Sequence, residues 1–307
     1  MRTKITVGSR GSQLAMIQTR SVVAKIKQLN PNLEVSIQKI VTAGDRDHHT
    51  SLDRIGVAVF VKELEEALLD KRIDLAVHSL KDMPTDIPQG LSLLAVLERE
   101  DPRDALVARA GLDNLPGGAT IGTDSLRRSI QLAQRRPDLK VGSIRGNVDT
   151  RLRKVAQGEF DGVIVAAAAL ARLGWSDRIT EYLPMKDFLP AVGQGALAIE
   201  GRLDEDIAAL VAPLKHLSTW QAVLAERAYL RALGGGCRAP IAALGTVEGN
   251  MLKLEGMVAG DDVSKVLRNI EVGTVDRPEE VGTRLAERML SMGASQFIAE
   301  VKSREGR

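Results

Sequence analysis

The chain has little with which to stack, bridge or span. Aromatic residues make up only 3% of its 307 residues, so a protein that binds single strands by stacking bases would have few platforms here. Charge of one sign is not in excess: 42 Lys and Arg stand against 40 Asp and Glu, a net +2. That removes the broad basic field that drives non-specific nucleic-acid binding, and no nucleic-acid partner is expected. A single cysteine, Cys237, rules out an intramolecular disulfide and any all-cysteine metal site. His48, His49 and His216 have no partners at metal-ligand spacing, so no metal is expected. No run of about 18 apolar residues occurs, which predicts no membrane partner. Met1 to Gly11 enters a strand-like run without the apolar stretch of a signal peptide. A reducing cytoplasm is therefore the expected compartment, with the thiol of Cys237 left for chemistry. What remains, 44% hydrophobic and 27% charged, is an ordinary globular composition, long enough for about two domains or three.

Hydrophobic spacing alternates strand and helix. Ile5-Thr6-Val7 reads as a strand that stops at Gly8-Ser9-Arg10-Gly11-Ser12. Ala15, Val22, Ile26 and Leu29 then share a helical face that Pro31 ends. Strands are expected at 33–40, 73–77 and 91–97, with a helix at 60–70 between the first two. This order predicts a mostly parallel sheet covered by helices. The charged stretch Glu98 to Asp104, with Pro102 inside it, reads as a crossing into a second domain. There the order restarts, with strands at 119–121, 139–144 and 162–165 and helices at 125–134, 147–157 and 167–173. After a helix at 218–233 the tail alternates around Leu252, Leu254, Val266 and Ile270. It is expected to close with a helix at 279–292 and a strand at 296–302, a small α+β unit.

Arginine outnumbers lysine, 28 to 14. A planar guanidinium grips a carboxylate or phosphate with two parallel bonds, which an ammonium does not. Ligands of open α/β sheets sit beyond the carboxyl ends of the strands, and the polar residues fall there. Ser9-Arg10 follows the first strand, and His78-Ser79-Leu80-Lys81-Asp82 the one at 73–77. Thr123-Asp124-Ser125-Leu126-Arg127-Arg128 and Arg145-Gly146-Asn147 follow strands of the second set. The pattern points to a cleft between two domains for a ligand with several carboxylates or phosphates, aided by helix N-termini. Ser12 and Ser125 equally suit plain helix caps, and one of Arg127 and Arg128 is expected to turn away from any ligand. Arg135, Arg136 and Arg153 read as surface charges, and His78 as a satisfied structural histidine.

Two residues stand out. Asp82 is a carboxylate in a turn held by Pro84 among basic groups. It is either an ion-pair partner of Lys81 or an acid placed to steady a cation or pass protons. Cys237 follows three glycines and precedes Arg238 and Pro240, where a thiol is exposed and ionises more easily than in a core.

These residues sit in longer matching stretches: Gly8 to Ala15, Phe60 to Leu64, Ala76 to Pro84, Glu98 to Ala105, Gly122 to Arg128, Arg145 to Leu152, Leu189 to Ala196 and Gly235 to Pro240. In this order the chain resembles the porphobilinogen deaminase family over nearly its whole length. The resemblance implies an α/β fold of two periplasmic-binding-protein-like doubly wound domains plus a small α+β C-terminal domain. The corresponding boundaries are 1–98 with 194–215, 103–190 and 217–307. It implies a dipyrromethane cofactor joined by a thioether to Cys237, and porphobilinogen as substrate. Four units are added in sequence, each with loss of ammonia, and the linear tetrapyrrole hydroxymethylbilane is released by hydrolysis. Asp82 matches the catalytic acid. By matched position Lys81, Thr123, Ser125, Arg127, Arg128 and Arg145 would hold the cofactor, and Arg10, Ser12, Gln18, Arg151 and Arg172 the substrate. A monomer is the family's expectation.

The chemistry agrees with the residues. Each porphobilinogen carries an acetate and a propionate, so a growing chain collects carboxylates that need guanidinium forks. Loss of ammonia leaves an electrophile with positive charge on a pyrrole nitrogen, which a nearby carboxylate stabilises and a sulfur nucleophile can attack. Three positions depart from the family pattern. Val57, in the stretch Ile55-Gly56-Val57-Ala58, replaces a lysine, Asp124 a common serine, and Ala169 a frequent glycine. Asp124 would repel an anion unless it caps its helix. The competing reading is a two-lobed anion-binding protein without catalysis.

Overall fold

The computed structural model describes residues 2–40, 61–234, 240–260 and 262–305. The expectations for Cys237 and for Ile55 to Ala58 lie outside these residues. In chain order the strands are β1 (Lys4–Arg10), β2 (Glu34–Ile40), β3 (Leu75–Ser79), β4 (Leu91–Val96), β5 (Asp104–Ala108), β6 (Thr120–Gly122), β7 (Lys140–Gly142), β8 (Gly162–Ala166), β9 (Glu181–Tyr182), β10 (Leu197–Arg202), β11 (Ile241–Glu248), β12 (Met251–Ala259) and β13 (Val266–Thr274). The chain divides into two compact units. The first is Met1–Arg99 with Ala196–Trp220, and the second is Glu100–Gly195 with Gln221–Arg307.

The first unit is one five-stranded sheet in the order β2-β1-β3-β10-β4. Ile5 and Val7 of β1 are buried on one face with Val22, Val23 and Ile26 of helix Gln13–Leu29. Ser12 caps that helix by accepting from Ala15 N at 3.3 Å, which satisfies one of its orphan donors. On the opposite face helix Lys62–Leu69 packs Leu64, Ala67 and Leu68 against Ala76 and Ile73. Gly8 makes this approach possible: a Cβ there would lie 2.4 Å from Ile73 Cδ1 and 2.9 Å from Leu64 Cδ2.

The second unit repeats the arrangement in β7-β6-β8-β5-β9 and adds a separate sheet, β11-β12-β13. The first of these sheets has its own apolar layers, one around Ile121, Leu132 and Ile164 and one around Val163, Val165 and Leu170. The antiparallel β11-β12-β13 sheet packs Leu252 and Leu254 against Tyr229 of helix Leu217–Ala232 and Leu285 and Met289 of helix Pro278–Ser291. The α/β class with a small C-terminal α+β part is therefore as expected.

One detail refines the expectation and one differs from it. The five-stranded sheets are mostly parallel, as expected, each with one strand reversed. In the first, β10 runs antiparallel to β3 and β4; in the second, β5 runs antiparallel to β8 and β9. Each of these strands begins where the chain has just come from the other unit, so it enters its sheet directly, without a covering helix to reverse it. The charged crossing at Glu98 to Asp104 thus runs straight into a strand. The tail expected as a strand at 296–302 is helix Ala294–Glu305. Ala294 and Ile298, four residues apart, are both buried in the C-terminal core, a spacing that suits one helical face. A short apolar run does not reveal this by periodicity alone.

Candidate functional site

In the first unit the site residues gather at one end of the sheet. Arg10 ends β1, and Ser12 starts the helix that follows. Gln18, one turn and a half along that helix, is buried, and its Nε2 donates to Ser79 Oγ at the end of β3 at 3.0 Å. Thr19 donates to Ser9 Oγ at 2.9 Å beside it. The chain then makes a short 3-10 turn, Leu80–Asp82, that carries Lys81 and Asp82. Two backbone bonds pin it: Leu80 N donates to Ala196 O and Met83 N to Leu80 O, both at 3.0 Å. Lys81 and Asp82 are half-buried and do not pair with each other. Within its unit the Asp82 carboxylate has no hydrogen bond or ion pair with another described residue, so the plain ion-pair reading does not describe it.

Directly behind this turn lies a buried acid-base group that sequence reasoning missed in part. His78 Nε2 donates to Glu200 Oε2 at 2.9 Å, and the two side chains are only 3% and 0% exposed. That makes His78 the satisfied histidine expected. Glu65 of helix Lys62–Leu69 feels both. Burial and the Glu200 charge push its carboxyl up to about 7, and His78 opposes them. Neither glutamate lies in a motif with chemistry of its own, so only the fold brings them to His78.

The second unit concentrates arginine. Thr123 follows β6 and accepts from Ser125 N at 3.2 Å, and Ser125 caps helix Leu126–Arg135 through Arg128 N at 3.5 Å. Asp124 does not cap that helix. It accepts from Ser143 Oγ at 2.6 Å and Ile144 N at 3.0 Å, so it braces the neighbouring loop. Arg127 and Arg128 both turn inward. Both are buried and converge on the wholly buried Asp104, Arg127 at 2.7 Å and Arg128 at 2.8 Å. Gln194 adds a third donor to the same carboxylate at 2.9 Å. Burial raises the Asp104 carboxyl, yet the two guanidinium charges and their hydrogen bonds outweigh it and hold it well below the usual carboxylate range. Arg136, read as a surface charge, donates to the carbonyls of Leu112 and Leu115 and so ties its helix end down.

Two cations against one anion leave this buried centre with a net positive charge, and further arginines add to it. Arg151 donates through Nε to Gly146 O at 2.9 Å. Its pKa is drawn down by burial and by the charges of Arg128 and Arg145, with Asp124 opposing. Arg172 donates to Gly195 O at 2.6 Å, and burial lowers its pKa against the pull of Glu100. Like charges held this close favour an anion that would neutralise them. A group bearing several carboxylates fits the donors present. Ala169 is buried within helix Ala167–Leu173. Among the described residues no group of His, Cys, Asp and Glu could hold a metal, and no helix is long and apolar enough to cross a membrane.

Comparison with known proteins gives these arginines and the turn at Asp82 a context. Residues 5–209 match the family model described as "Porphobilinogen deaminase, dipyromethane cofactor binding domain". Residues 220–291 match "Porphobilinogen deaminase, C-terminal domain". A porphobilinogen deaminase of Syntrophus aciditrophicus is 48% identical over 300 residues, covering 96% of this chain and 98% of its own. One of Bacillus subtilis is 49% identical over 308 residues, covering 98% and 97%. Among solved structures, the methionine binding protein MetQ aligns at 13% identity with a TM-score of 0.44, over 72% of this chain and 91% of that one. The two family domains follow each other along the chain, and the full-length relatives run nearly end to end with it; the chain belongs to the porphobilinogen deaminase family.

Proposed function

We propose that this chain joins four porphobilinogen molecules head-to-tail, with loss of ammonia at each addition, into the linear tetrapyrrole hydroxymethylbilane. The observation that carries this reading is the concentration of arginines in the matched cofactor-binding region, with Arg127 and Arg128 held on Asp104 and Arg151 near Arg128 and Arg145. Substrate and product here are acids, and each added pyrrole brings two more carboxylates. In this reading Lys81, Thr123, Ser125, Arg127, Arg128 and Arg145 hold a dipyrromethane joined to Cys237 by a thioether. When bound, that group supplies the pyrrole carbon from which the chain is extended. Arg10, Ser12, Gln18, Arg151 and Arg172 hold the incoming porphobilinogen.

The residues would divide the work by charge. Arg127 and Arg128 come pre-ordered by Asp104, so little side-chain entropy is lost when an anion arrives. Asp82, with no partner among the described residues of its own unit, would face the cation formed when ammonia leaves. Gly234, at φ +62, lets the chain turn out of helix Leu217–Ala232 three residues before Cys237.

We also read the chain as three domains, 1–98 with 194–215, 103–190 and 217–307, because the second unit holds two sheets with separate apolar cores. A thiol required for cofactor attachment suits a reducing cytoplasm, and a monomer suits a site completed within one chain. The experiment is turnover of porphobilinogen by wild type and Cys237→Ser. Consumption with ammonia release by wild type, absent in Cys237→Ser, supports the reading; a wild type inert towards porphobilinogen overturns it.

A further inference from the structure

The buried pair His78–Glu200 sits where the sheet would be expected to be apolar. Opposite residues of paired strands share a face. Gly8 is opposite Ala76, and Ala76 opposite Glu200. One row further along, on the same face, come His78 and Ala198, with Arg10 two residues beyond Gly8. Glu200 therefore reaches His78 on the diagonal, under helix Lys62–Leu69. Among the described residues, the charged groups on this face are Glu65 from that helix and Arg10 from β1; β4 contributes none, and Arg202 further along β10 is turned to Asp74 at 3.0 Å.

Three features argue that this pair is not there for stability. A buried hydrogen-bonded pair in an otherwise apolar layer is often no better than two hydrocarbons of the same size. Glu200 Oε1 is buried without a hydrogen-bond partner among the described residues, an uncompensated desolvation. Finally, the ladder is interrupted at this residue: β10 steps from Ile199, opposite Ala95, to Glu200, opposite Leu93, so β4 carries Leu94 as an extra residue. The bulge re-aims β4 beside Glu200 and gives up regular pairing there. What the pair does fix is the last stretch of β3. His78 is followed at once by Ser79, bonded to Gln18, and by the turn that presents Lys81 and Asp82. A slip of β3 by one residue would send His78 to the other face and displace that turn.

We propose that Glu200, acting through His78, is a positioning residue that holds the Lys81–Asp82 turn in register for the reaction. The proposal rests on the function proposed above. It differs from it in needing a wild type that works.

The test uses the full-length protein loaded with dipyrromethane. Glu200→Leu keeps the side-chain volume and removes both the charge and the hydrogen bond. Its melting temperature is expected to fall, because His78 is left buried without its partner, so kcat is read per folded molecule, and its colour with acidic aldehyde reagent is expected to match wild type. Its kcat is expected to fall about tenfold or more, since small misplacements of a reacting group are costly, with KM for porphobilinogen changed by less than about threefold. Glu200→Gln keeps one hydrogen bond to His78 and should recover part of the loss. A folded, loaded Glu200→Leu with wild-type kcat overturns the proposal. If the leucine variant does not fold, the glutamine variant decides. Lowered kcat per folded molecule supports the proposal, and wild-type kcat, or loss only in proportion to unfolding, overturns it. An inactive wild type instead removes the proposed function and leaves a different question.

Discussion

Arg128 grips Asp104 with two nitrogens, Nε at 3.0 Å and Nη2 at 2.8 Å, in a spot where the carboxylate has no exposed surface. Its neighbour Arg127 holds the other oxygen at 2.7 Å. Two adjacent helix residues that one would expect to diverge are drawn to a single acid that arrives at the start of β5. The centre keeps one positive charge in excess of its anion.

Asp104→Asn should leave two buried guanidiniums without their anion. Removing one partner of such a group costs about 3–5 kcal/mol, read as a lower urea midpoint at pH 7. The wild-type contribution has a definite pH window. A carboxyl held below its ordinary value stabilises the fold above about pH 4 and loses that contribution as the pH falls further. Acid unfolding of wild type should therefore be steep, and the Asn variant should lack that part of the slope.

Glu65 predicts the opposite sign. Its carboxyl is pushed up to about 7 from an ordinary 4.5, so the folded state binds this proton more tightly than the unfolded chain. Its contribution to stability is full below about pH 4.5 and is lost as the pH rises through about 7. Glu65→Gln should flatten stability against pH across that window and exceed wild type at pH 8. Equal pH slopes for the two proteins would contradict the assignment.

Asp82→Asn preserves shape and removes the charge. Loss of a group aimed at developing charge typically lowers kcat by about 10²–10³. Dipyrromethane content, read by colour with acidic aldehyde reagent, should persist. Normal turnover would take Asp82 out of the chemistry.

Gly8→Ala tests the packing that holds helix Lys62–Leu69 against the sheet. A Cβ 2.4 Å from Ile73 and 2.9 Å from Leu64 must push one of them aside, costing about 1–3 kcal/mol. The thermal midpoint should fall, with the ends of β1 and β3 losing amide protection together.

How much of this was legible in the sequence depends on the range of the interaction. The helices at Gln13–Leu29 and Leu126–Arg135 and their caps Ser12 and Ser125 follow from local spacing and a local hydroxyl. The turn at Leu80–Asp82 was placed by the strand before it. Asp104, Glu65 and Glu200 were not legible as site-supporting residues, because each meets its partner across a sheet or from another element. The convergence of Arg127 and Arg128 was hidden for the same reason: the acid that draws both lies 23 and 24 positions away in sequence. The C-terminal helix Ala294–Glu305 was misread because its apolar residues are too few to show a period. Asp124 resolved the other way, its charge taken up by Ser143 and Ile144.

The central claim is that Cys237 carries the primer on which the acidic chain grows. Intact and peptide mass spectrometry of protein from cells that make porphobilinogen tests it most directly. The account predicts extra mass equal to two linked pyrroles on the peptide containing Cys237, and no reaction of that thiol with maleimide. An unmodified peptide whose thiol labels freely would contradict it.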